Sequence, residues 1–141
     1  MRSAAKALLL MEIVVCFAPA LVLLALGLIV LPVQVWFLLD RAGEDGTGGA
    51  LTVLALVIGG MAGVIALANL IFWITASRSS FLSRGWTLAG AVAGSAALWP
   101  YVFGPVDSTW WRLVGLMPLL CAVHLLYLGR NFLFPELTQL K

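Results

Sequence analysis

Long apolar runs separated by short polar breaks set the pattern of this chain. Four stretches approach or exceed the roughly 20 apolar residues needed to cross a hydrocarbon core. They run from Ala7 to Leu39, Leu51 to Ala76, Trp86 to Phe103 and Trp110 to Leu128. The breaks between them read DRAGEDGTGG, SRSSFLSR and GPVDST. A backbone in lipid has no water to bond, so each span must satisfy its own N–H and C=O groups. That predicts helices over about 13–39, 51–76, 86–103 and 110–128. The expectation is an all-α, polytopic membrane protein whose residues 1–141 form a single four-helix transmembrane domain.

The first stretch is too long for one straight span. As a helix, Ala7 to Leu39 measures about 50 Å against a core of about 30 Å. Pro19 and Pro32 offer bending points, and residues up to Glu12 are expected at the headgroup level. Met1–Lys6 followed by an apolar run imitates a signal peptide. The run far outlasts an h-region of about 7–15 residues, so an uncleaved first helix is expected.

Composition strengthens the membrane reading. The chain is 63% hydrophobic and 10% charged, where a soluble domain carries about 25% charged residues. A net charge of +2 with scattered basic residues argues against a nucleic-acid partner. Both cysteines, Cys16 and Cys121, lie within apolar runs, so no disulfide framework is expected.

Charge then orients the spans. Arg2 and Lys6 precede the first helix, Arg78 and Arg84 lie between the second and third, and Arg130 and Lys141 follow the fourth. The opposite side holds Asp40, Arg41, Glu44, Asp45 and Asp107, with Arg112 just inside the fourth helix. The positive-inside bias places both termini in the cytoplasm of a bacterial-type inner membrane. Aromatic residues fit the same arrangement. Trp36, Trp99, Tyr101, Trp110 and Trp111 form an outer belt, and Trp73, Trp86 and Tyr127 an inner one.

Small residues recur at helical spacing on the middle helices. Gly59, Gly63 and Ala66 share a face of the second, and Gly90, Gly94 and Ala97 a face of the third. Such stripes let backbones approach closely. Packing of the two helices within one chain is favoured over a dimer contact, because a four-helix chain must first pack itself.

Few residues within the spans are capable of chemistry. Glu12 and Cys16 are four apart on the first helix, and Cys121 and His124 three apart on the fourth, so each pair shares a face. In the four-span arrangement Glu12, His124 and Asn69 of the second helix all fall toward the cytoplasmic side. Ionisable groups at membrane depth usually face the bundle interior and pair. Glu12 is therefore expected to face His124, with Asn69 as a third partner.

Three readings of this cluster compete. The favoured one is structural, with Glu12 reaching the headgroups and His124 bonding a carbonyl or Asn69. The second is a proton- or cation-coupled site. The third is a metal site of Glu12, Cys16, Cys121 and His124, whose spacing matches no established motif. No metal and no cofactor is expected, since a lone histidine also leaves a haem without an evident second axial ligand.

No G-x-S-x-G, C-x-x-C, H-E-x-x-H or phosphate-binding glycine loop occurs, so no enzyme is expected. Small multidrug transporters also carry a glutamate on their first helix, but their aromatic-rich later motifs are not found here. The leading expectation is a non-enzymatic inner-membrane protein that binds another protein in the bilayer. It would be an accessory subunit of a membrane complex or an immunity-type protein against a membrane-inserting toxin. The alternative is a small homo-oligomeric transporter or channel with an intramembrane Glu/His site. The orientation is testable directly. An alkaline phosphatase fused after Asp45 is expected to be active, and one fused after Lys141 inactive; the reverse pattern would invert the topology.

Overall fold

The computed structural model describes residues 3–40, 47–75, 80–103 and 109–134. Among these the regular elements are all helices: α1 Ser3–Asp40, α2 Thr47–Thr75, α3 Arg84–Phe103, α4 Thr109–Leu128 and the single turn α5 Arg130–Leu133. Two are long and apolar enough to cross a membrane, over Ala7–Asp40 and Thr47–Thr75, and Gly115–Leu128 of α4 is a shorter apolar helix.

The helix bounds differ from the sequence expectation at their starts. α1 begins at Ser3, not near residue 13, and runs through Pro19 and Pro32 without ending. Each proline removes one backbone hydrogen bond. Breaking the helix in an apolar environment would leave several more groups unpaired, so continuation is the cheaper outcome. α2 starts at Thr47, and the Thr52 hydroxyl donates to the Gly48 carbonyl oxygen at 2.8 Å within its opening turns. The acidic connection at 41–46 and residues 135–141 lie outside the described residues.

α2 and α3 make the most extensive helix pair, followed by α1 with α2, α3 with α4 and α1 with α4. The small-residue stripes explain the first. A Cβ built on Gly63 would stand 2.6 Å from the Cα of Gly94, and one on Gly90 would stand 2.7 Å from the Ala62 carbonyl oxygen. A Cβ on Gly59 would stand 2.9 Å from the Ala93 carbonyl oxygen. The two backbones are therefore in direct contact, antiparallel, and both stripes are occupied within the chain. α1 closes on α2 at Gly27, where an added Cβ would lie 2.8 Å from Val57 Cγ2. α4 closes on α3 where Gly115 meets Tyr101 and Val102.

The apolar core gathers at the end of the bundle where α1 starts and α2 and α4 finish. Leu9, Phe17, Leu67, Leu70, Leu125 and Phe132 are buried there together. α5 turns the chain back over this end, stacking Phe132 on Trp73 with ring centroids 5.5 Å apart. α1 is the least enclosed element. None of the residues in its most apolar window is buried, and Leu8, Met11, Ile29 and Val33 are largely exposed.

The α2–α3 contact makes a specific prediction. Gly63→Ala or Gly94→Ala must push the helices apart and is expected to cost about 1–3 kcal/mol. Gly85→Ala adds a methyl group with nothing within 4 Å and is expected to be neutral or slightly stabilising. Thermal unfolding in a mild detergent checks both.

Candidate functional site

The polar side chains of the bundle divide into two groups, and the division differs from the sequence expectation. The first lies on the seam between α1 and α4. Glu12 Oε1 is 2.7 Å from His124 Nδ1. An ionised carboxylate only accepts, so with Glu12 charged the Nδ1 proton of His124 is donated to it. One helical turn away along both helices, Cys16 and Cys121 are the next neighbours across the seam, Cys121 within the buried end cluster and Cys16 packed against it. The two contacts are rungs of an antiparallel ladder: residues 12 and 16 ascend α1 as 124 and 121 descend α4.

The rungs differ in enclosure. Cys121 is buried and Cys16 half-buried, and both are free thiols. The Glu12 and His124 side chains retain 31% and 45% of their exposure, so this pair sits on the outer edge of the seam. The residues one turn to either side of it, Leu8 and Val15 on α1 and Leu120 and Tyr127 on α4, are exposed and continue that outer face. Beyond Tyr127 the Arg130 guanidinium lies 4.3 Å from the Tyr127 ring centroid.

Asn69 does not join this seam, which corrects the expectation of a third partner. It is fully buried between α2 and the start of α3. Its Oδ1 accepts from the backbone N–H groups of Phe81 and Leu82 at 2.9 and 3.0 Å. Its Nδ2 donates to Thr87 Oγ1 at 2.8 Å and, more weakly, to the Leu82 carbonyl at 3.5 Å. The Thr87 hydroxyl then donates to the Ser83 carbonyl at 2.9 Å. Asn69 thus holds the α2–α3 connection against the bundle, and sequence depth alone could not reveal which neighbour it faced. Thr87, equally buried, carries no signal in the sequence that sets it apart from an ordinary helix-start threonine.

A further feature is an apolar cavity of about 340 Å³ between the four long helices. Leu24 and Gly27 of α1, Gly60 of α2, Leu98 of α3 and Pro118 of α4 line it. Its Ser95 hydroxyl is already donated to the Ala91 carbonyl at 2.8 Å. Among the described residues no three His, Cys, Asp or Glu side chains are grouped so as to hold a metal ion. No protein-family model, curated protein or solved structure matches the chain.

The two polar groups should respond differently to mutation. Asn69→Leu removes the acceptor of the Phe81 and Leu82 N–H groups and the donor to the Thr87 hydroxyl oxygen, and is expected to cost about 1–3 kcal/mol. Glu12→Gln at the part-exposed rung is expected to cost less than about 1 kcal/mol. Unfolding midpoints of the two variants in the same detergent decide whether this order holds.

Proposed function

We propose that this is a four-span inner-membrane protein, with both termini cytoplasmic, that acts without catalysis by binding another protein in the bilayer through the α1–α4 seam. The observation that carries this reading is the half-exposed Glu12–His124 pair. Apolar helix faces are equally well covered by lipid or by protein, so the exposed leucines and valines decide nothing. An ionisable pair is different. His124 lies about 6 Å before the end of α4 at Leu128, inside the level at which a basic side chain such as Arg130 meets headgroups. Facing lipid there is costly, whereas a partner helix offering a hydroxyl or amide removes the cost. The small-residue stripes on α2 and α3 support the same choice of surface, because they are already consumed within the chain.

An accessory subunit of a membrane complex and an immunity-type protein both need such a surface. The alternative, a homo-oligomeric transporter or channel, draws on the same pair. A second copy would cover the seam and place Glu12 and His124 on a path between protomers.

Purification of tagged protein from its native membrane in mild detergent, followed by mass spectrometry, tests the proposal. A stoichiometric partner is expected, lost or strongly reduced in a Glu12→Gln, His124→Ala double variant. A clean homo-oligomer would favour the transporter, which then requires Glu12→Gln to abolish pH-dependent flux in liposomes. A monomer without partners would contradict both readings.

A further inference from the structure

The thiol rung calls for an account independent of the partner-binding reading. The chain has two cysteines. They are far apart in sequence and on different helices, and the Glu12–His124 contact one turn away sets them side by side across the α1–α4 seam. Packing alone does not require this, since two small apolar residues would fill the same space. Cys121 belongs to the buried end cluster and Cys16 packs against that cluster from α1. One thiol is therefore reachable and the other is shielded behind it, the arrangement of an attacking and a resolving cysteine.

We propose that Cys16 and Cys121 form a redox-active dithiol that closes to a disulfide tying α1 to α4, with a membrane-borne disulfide as the oxidising substrate. Cys16, as thiolate, attacks one sulfur of the substrate; a bond to Cys16 forms, the substrate's own S–S bond breaks, and its first thiolate leaves. Cys121 then attacks the Cys16 sulfur, forming the interhelical bond and releasing the second thiolate. The two cysteine protons pass by way of the Glu12–His124 pair, one turn away on the same two helices, to the departing thiolates. The protein thus loses two electrons, the substrate disulfide gains them, and no net proton is released. Closure brings the two sulfurs to about 2.05 Å. α1, the least enclosed helix, is the element free to make that adjustment.

The full chain in detergent or liposomes is treated with dithiodipyridine, a neutral, membrane-permeant disulfide whose thiopyridone product is followed by absorbance. The wild type is expected to end with Cys16 and Cys121 joined, seen as a cross-linked peptide pair that dithiothreitol reverses, and with no thiopyridyl group retained. Cys121→Ser is expected to stop at a stable thiopyridyl adduct on Cys16. Cys16→Ser is expected to leave Cys121 reacting at least about tenfold more slowly than Cys16 does, because the buried thiol is shielded. Glu12→Gln is expected to slow closure several-fold while the cross-link still forms. Separate adducts on the two cysteines without a cross-link in the wild type would overturn the proposal. So would equal reactivity of Cys121 with and without Cys16.

Discussion

The approach of α2 to α3 at Gly63 and Gly94 is the contact on which the rest of the bundle depends. In lipid there is no gain from hiding apolar surface, because the solvent is as apolar as leucine. Helices hold together there through dispersion between closely fitted surfaces and a few hydrogen bonds. Two glycines facing each other, with Gly59 and Gly90 on either side, bring the backbones into contact along several turns. Asn69 then secures the connection at one end of the same pair by clasping Phe81, Leu82 and Thr87. Backbone contact and polar clasp together make α2–α3 the platform of the molecule.

α1 and α4 lie against that platform and meet each other more sparingly. Their seam is closed by the end cluster around Leu9, Phe17 and Leu125 and by the two polar rungs. It is the place where enclosure is incomplete and where Glu12, Cys16, Cys121 and His124 gather. The α2–α3 pair is the most extensive contact of the bundle, and the α1–α4 seam, one of the less extensive, is where the proposed chemistry is placed.

The sequence disclosed the helices because run length and hydrophobicity are one-dimensional properties. It also disclosed that Glu12 shares a face with Cys16, and His124 with Cys121, because helical spacing fixes which residues align. Depth brought Glu12, His124 and Asn69 to one end, but depth says nothing of rotation about the helix axis. Asn69 is turned toward α3 while Glu12 and His124 occupy the α1–α4 seam, and that angle is set by the glycine contact between α2 and α3. The placing of Cys16 beside Cys121 follows from the same spacing once Glu12 faces His124, because each cysteine shares a face with one member of that pair. The early start of α1 and its passage through Pro19 and Pro32 reflect the cost of ending a helix in an apolar environment, which outweighs local breaker signals.

The α1–α4 seam is the proposed working surface. Photo-crosslinking in native membranes tests it most directly, with a benzoyl-phenylalanine placed at Leu120 beside His124 and, as a control, at Val92 on α3. Both positions are exposed. A discrete protein adduct from Leu120, with only lipid adducts from Val92, is the expected result. Lipid adducts alone from both positions, or the same protein adduct from each, would contradict the assignment of the seam.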